Sequence, residues 1–473
     1  MADISALSVE LRILIVEHLD RESDGTPHDQ EASKLEKDTR ELPKVNAALL
    51  HLSCVNRSFR SFAAPYLFRT LILRNTIKSG NSVDLIACSK YADLVKKLEF
   101  VGTSTLTYDG ADGPAPRHGD WTNVALLQSV EHVLSNLSTF PKLEAFSVEF
   151  TVQADDSLGS EDDFPDNYVE IRNTHSAFMD AVYTALARNP AHKITSLCLP
   201  NLRAPSPYSP WVSWESKAWQ TLLNGLTTIE LGLNAEDGGW GVDIPGYCNE
   251  LLPLLKSLCW DHLCSVTHLS FSPSPQGILG LDFAPMDPTP LSFATDDFPR
   301  LEVLSLDYVF MSTAFGDFMR HHAHTLREVK MQHVFVARYS LEGNGDQLKP
   351  QTTWARVFNT LTAPDVQFSN LVRFVLECTG PAEDEQDAEL RQRIAELGES
   401  PKELRYALLN HVSGEVMTGF DVEQQRKAIY TTYGRHKRLL RAAEEGVQAD
   451  LDQIAYKSFM QIVKGNRARL GLA

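Results

Sequence analysis

Two groups of residues have the side-chain types that hold metal ions: His321, His322 and His324, and Cys248, Cys259, His262, Cys264 and His268. Small zinc sites join one close cysteine pair to a second close pair, and neither group has that spacing. Exposed turn histidines and buried core thiols fit better. Gly238–Gly239–Trp240–Gly241 and Gly343–Asn344–Gly345 lack the lysine of a phosphate loop and the strand–glycine–helix order of a dinucleotide site, so they read as turns. The carboxylates Asp155, Asp156, Glu161, Asp162 and Asp163 lack the ligand spacing of a calcium loop and read as solvated surface. A glycine-flanked serine elbow is missing too. The expectation is a protein without catalysis, metal or cofactor, in which surfaces rather than reactive groups carry the function.

Composition narrows the kind of surface. The chain has 473 residues, 43% hydrophobic and 22% charged, with a formal net charge of −18. Such a chain folds, and its length exceeds one ordinary domain. Its acidity argues against a nucleic-acid partner, because an acidic surface repels a polyanion. No apolar run is long enough for a membrane span, and the start carries neither the basic residues nor the apolar stretch of a secretory signal. Seven scattered cysteines, an odd number, suit reduced thiols. A cytoplasmic or nuclear location is expected.

The elements that present these surfaces follow from apolar spacing. Ile4 to Asp20 predicts one amphipathic helix, with Ser8 as its cap and Val9, Leu11, Ile13, Leu14, Ile15, Val16 and Leu19 as apolar positions. Residues 21–44 are polar and read as an exposed insertion, with a capping-box pattern from Ser33 to Glu36. A second helix is predicted from Val45 to Phe62, its apolar positions Leu49, Leu52, Val55, Phe59 and Phe62 at helical spacing, punctuated by Pro65.

Beyond Pro65 an apolar triplet recurs, its members three and then two residues apart. It appears at Phe68-Leu71-Leu73, Val95-Leu98-Phe100, Leu143-Phe146-Val148, Ile194-Leu197-Leu199, Leu226-Ile229-Leu231, Val266-Leu269-Phe271, Leu301-Leu304-Leu306, Leu326-Val329-Met331 and Leu371-Phe374-Leu376. Most matches follow a helix-like stretch. Helix, turn and short strand in repetition is the unit of a leucine-rich repeat. The spacing of the units varies widely, so the array would be irregular. A rival reading takes some matches as ordinary core strands of an α/β domain. From Pro381 onward the sequence becomes acidic and then helix-forming, and Ile429, Tyr433, Leu439, Leu440, Ile454, Phe459 and Ile462 offer apolar faces that would cover the last repeat. A loosely attached interaction tail is the alternative.

Leu7 to Leu19, Leu49 to Arg60 and the Ala64-Pro65-Tyr66-Leu67-Phe68-Arg69-Thr70-Leu71 exit together resemble the F-box family, especially fungal F-box proteins with leucine-rich repeats. The resemblance implies an α/β chain in three parts. These are an F-box-like helical domain at 1–66 with the polar insertion at 21–44, an irregular leucine-rich-repeat solenoid at 67–380, and a helical C-terminal cap or tail at 381–473. It further implies an adaptor of a Skp–cullin–F-box ubiquitin ligase that binds a Skp-type linker protein, and through it a cullin, while the repeats hold a protein substrate. By the same resemblance the linker contacts are Leu7, Leu11, Ile15, Leu19, Leu52, Val55 and Phe59. An interaction scaffold working outside the ligase is the alternative.

The target would sit where insertions leave the strands on one rim. Tyr108, Tyr208, Trp211, Trp214 and Trp240 would supply aromatic anchors there, beside Asp155, Asp156, Glu161, Asp162 and Asp163. Packing of the same tryptophans against the core is the competing reading.

Overall fold

The computed structural model of the chain describes residues 8–24, 47–106, 125–154, 168–189, 194–202, 211–233, 254–273, 293–307, 309–311, 313–332, 334–342, 347–350, 353–377, 406–409 and 445–472. Its strands, in chain order, are β1 (Thr70–Arg74), β2 (Lys97–Leu106), β3 (Ala145–Ala154), β4 (Ser196–Leu202), β5 (Thr228–Leu233), β6 (His268–Pro273), β7 (Val303–Asp307), β8 (Phe310–Met311), β9 (Glu328–Gln332), β10 (Phe335–Glu342), β11 (Gln347–Pro350), β12 (Arg373–Glu377) and β13 (Tyr406–Leu409). The helices are α1 (Val9–Asp24), α2 (Ala47–Val55), α3 (Arg57–Leu67), α4 (Ile77–Ala87), α5 (Gln128–Leu134), α6 (Tyr168–Ala187), α7 (Lys217–Asn224), α8 (254–258), α9 (Thr313–His321), α10 (Trp354–Leu361) and α11 (Glu445–Arg469).

Each apolar triplet marks a strand. Side chains alternate across a strand, so the second and third members of a triplet share one face while the residue between them points the other way. In register, Leu71, Leu98, Phe146, Leu197, Ile229, Leu269, Leu304, Val329 and Phe374 form a single row across nine strands. None of these is more than 7% exposed. The strands are all parallel, and their order is β1-β2-β3-β4-β5-β6-β7-β9-β12. The irregular leucine-rich-repeat solenoid expected at 67–380 is therefore corrected to one nine-stranded, all-parallel sheet of an α/β fold. The triplet misled because it marks any short strand with one buried face, and does not specify the class of architecture those strands build.

The strands are joined at their beginnings by a repeated backbone joint. The carbonyls of Arg69, Lys96, Glu144, Thr195, Thr227, Thr267, Glu302 and Arg327 each accept two N–H groups, from the two residues that start the neighbouring strand, at 2.7–3.2 Å. Side chains fasten the helical layer in the same unit-to-unit sense. Buried Asn189 donates to the Leu134 carbonyl at 2.6 Å and accepts the Leu137 N–H at 2.9 Å. Asn75 joins Ala125 and Leu127 likewise. One departure from regularity is the shift between Leu199 and Leu202 in β4, where the Pro200 backbone presses on Gly232 of β5. A Cβ at Gly232 would stand 2.0 Å from the Pro200 carbonyl oxygen, so only glycine fits there.

A second sheet has the order β11-β10-β13, with β8 also pairing with β10. Its strand β13 lies within the tail expected to be helical. The tail does end in a helix that seals the sheet: on α11, Ala455, Phe459 and Val463 are buried, and Phe459 meets the rings of Phe374, Phe358 and Phe368 at 5.0–5.7 Å. Asn466 donates to the Leu371 carbonyl at 3.0 Å. Ile462 is partly buried on the core and Ile454 is exposed, whereas Ile429, Tyr433, Leu439 and Leu440 lie outside the described residues.

Candidate docking surface

The N-terminal helices form a small unit with a core of its own. Val16, Leu49, Leu52 and Phe59 are buried together, with Ile15, Phe62, Tyr66 and Leu67 packed around them. α1 starts at Val9, where the Ser8 hydroxyl accepts the Leu11 N–H at 3.4 Å. Hydrogen bonds from its own backbone N–H and from Ser8 hold the exposed Glu10 carboxyl below the usual carboxylate range. The single helix expected from Val45 to Phe62 is two. Asn56 adopts an extended backbone, and its side chain caps α3 by accepting the Phe59 N–H at 2.9 Å. Such a cap ends one helix and starts the next at low cost. Pro65 lies inside α3, which continues to Leu67. Arg12 ties α1 to α3 by a 2.6 Å bond from its guanidinium to the Ser58 hydroxyl, and lies over the Phe62 ring.

Around this core the apolar positions divide. Val9, Leu11, Ile13 and Leu14 on α1, with Leu50 and Val55 on α2, are 37–58% exposed. A pair of helices this short has more apolar surface than its interior can hold. Of the expected linker contacts, Leu11 and Val55 are on the surface and Ile15 is half-buried. Leu52 and Phe59 are interior residues, at 8% and 0% exposure, and cannot meet a partner without unfolding the unit. Leu7 lies outside the described residues; Leu19 falls within α1, its side chain undescribed. Val9, Ile13, Leu14 and Leu50 belong to the exposed set although the resemblance did not place them among the linker contacts. For Ile13 and Leu14 the signal is the continuous apolar run from Ile13 to Val16, too wide for one buried stripe.

Of the expected target rim, Trp211 and Trp214 fall among the described residues, and both are interior. Trp211 and Trp214 are 3% and 1% exposed and belong to the core, where they and Trp219 surround Tyr183 at ring separations of 5.2–5.5 Å. The reason is local: Asp180 of α6 accepts both the backbone N–H and the hydroxyl of Ser213, which turns the segment inward. Tyr108, Tyr208, Trp240, Asp155, Asp156, Glu161, Asp162 and Asp163 lie outside the described residues.

Another broad surface is the sheet face opposite the buried row. It carries Ile72, Glu99, Ser147, Cys198, Glu230, Ser270, Ser305, Lys330 and Val375 side by side, partly exposed and mostly small or polar. Burial, with Glu230 beside it, pushes the Cys198 thiol up to about 12, which makes it a poor nucleophile.

Of the histidines and thiols weighed for metal chemistry, Cys248 lies outside the described residues. His322 is buried rather than exposed, its ring nitrogens 2.9 Å from the Phe318 carbonyl and 3.2 Å from that of Phe298. Phe298 has a left-handed backbone, φ 54°. Cys259 is a buried thiol, whereas Cys264 is exposed. Among the described residues, no cluster of histidine, cysteine and carboxylate side chains is suited to a metal ion, and no helix is long and apolar enough to cross a membrane. No protein-family profile matches the chain, and no curated protein matches it.

Proposed function

We propose that the chain is a substrate-recognition adaptor of a Skp–cullin–F-box ubiquitin ligase, docking through α1 and α2 onto a Skp-type linker protein and holding a protein target on its sheet-based body. The observation that carries this reading is the exposed apolar set Val9, Leu11, Ile13, Leu14, Leu50 and Val55 on a unit that already has its own core. Apolar helix faces of this kind are buried by laying them in a partner's groove. The chemistry required of such a chain is proximity: tethering raises the local concentration of target and enzyme, and no reactive group of its own is needed.

The test is co-purification of the full-length chain with a Skp-type linker protein. Leu11→Asp combined with Leu14→Asp puts two carboxylates into the apolar contact, and affinity should fall by at least about 100-fold with the body still folded. Wild-type recovery of the linker by this variant would rule the docking reading out.

A further inference from the structure

At the other end of the molecule, α11 carries a surface that sealing the sheet does not account for. Ala455, Phe459 and Val463 face the core, while Lys457, Lys464 and Arg467 are exposed on the outer half of the helix. Lys457 and Lys464 are seven residues apart, two turns on one side, and Arg467 stands one turn further on. Among the described residues neither lysine is paired with a carboxylate. The acidic residues of the helix, Glu445, Asp450 and Asp452, all precede Lys457. Exposed apolar side chains flank the basic stretch: Leu451 and Ile454 before it at 48% and 61%, Leu470 and Leu472 after it at 50% and 49%.

We propose that this outer face of α11 is a docking surface for an acidic polypeptide segment that carries apolar side chains, separate from the N-terminal docking helices. Charge complementarity selects the occupant. In a chain of net charge −18 an isolated basic ridge attracts a short acidic segment, whereas a long polyanion meets the repulsion of the whole body. A lipid surface fits less well, because an interfacial helix needs one continuous apolar face and here the apolar pairs are split by the basic stretch. The face from Ile454 through Lys457 to Lys464 is about 15 Å long at the helical rise. An extended segment of about five residues spans that length. It can place an apolar side chain at the Ile454 end and carboxylates beside the lysines.

The test uses the full-length chain and a dye-labelled ten-residue synthetic peptide of alternating glutamate and leucine. Anisotropy should show binding that weakens with salt, and the same peptide with glutamine for glutamate should bind at least about tenfold more weakly. Lys457→Glu, Lys464→Glu and Arg467→Glu together should reduce affinity at least about tenfold at an unchanged melting temperature. Leu451→Ser with Ile454→Ser, which keeps the charge, should also reduce it. If the charge-reversed chain fails to fold, Lys457→Gln with Lys464→Gln takes its place. Absent binding, or equal binding by these variants, overturns the proposal. So does equally tight binding of vesicles rich in anionic lipid or of a single-stranded oligonucleotide, which would mark a general polyanion surface. Self-association abolished by the same substitutions would make a second copy the occupant and overturn it as well.

Discussion

The N-terminal helices and the nine-stranded body solve the same problem with different success. In the body, apolar residues recur at fixed positions of every strand, so register alone stacks them into rows that helices then cover. In α1 and α2 the apolar residues run around the helices, and two short elements can turn only part of that surface inward. Among the described residues, exposed large apolar side chains thus gather on α1 and α2 and on or just after α11, with Ile77, Leu85 and Val212 between them. Burial that is complete by construction marks architecture. Burial left incomplete at a well-capped, well-cored unit marks a place where another molecule is wanted.

That contrast can be broken most forcefully in the body. Trp214→Ala removes a 1%-exposed ring from the aromatic cluster and should cost about 3–5 kcal/mol, read by denaturant unfolding. Phe59→Ala should cost a similar amount but only within the helical unit; hydrogen exchange would then quicken in α1 to α3 and stay slow in β2 to β7. Uniform loss of protection across both regions would show that the two are one cooperative unit. Asn189→Ala leaves the Leu137 N–H and Leu134 carbonyl without partners and should cost about 1–3 kcal/mol, measured by the same unfolding curves.

A smaller effect is expected from acid. Burial lowers the pKa of His322 below its ordinary value of 6.5, so the unfolded chain takes up the proton first. The stability contribution is complete above pH 6.5 and declines as pH falls from there toward the lower folded value. His322→Gln should flatten that part of the stability–pH curve. The smallest effect on folding belongs to the exposed set: Leu14→Ser should change stability by less than about 0.5 kcal/mol while weakening linker binding. A large loss of stability would move Leu14 from the docking surface to the core.

Much of the strand layout was legible because its cause is local. The triplets at Leu143-Phe146-Val148 and Leu301-Leu304-Leu306 need only an apolar face and a buried approach, and both mark strands. What the strands assemble into was not legible, because parallel order and common register depend on joints between backbone groups, which carry no residue signature. Asn56 hid the break between α2 and α3 for a similar reason: apolar spacing runs straight across it, and only the cap geometry reveals two helices. The exposed apolar set of the N-terminal unit was half legible. Spacing names Leu52, Phe59 and Leu11 alike as apolar-face residues, but which of them turns inward is decided by packing between helices. For Trp211 and Trp214 the choice between rim and core was open for the opposite reason, since both positions need the same aromatic ring until Asp180 and Ser213 fix the path of the chain.

The double-acceptor joints have a mechanical consequence. They link neighbouring strands in series, so a load applied across the sheet from β1 to β12 passes through each joint in turn. Pulled this way, the sheet should yield joint by joint, each rupture releasing one crossover's length of chain while the joints behind it still hold. A force–extension trace would then be a staircase of unequal steps, ordered by the lengths of the connections and not by the strengths of the strands.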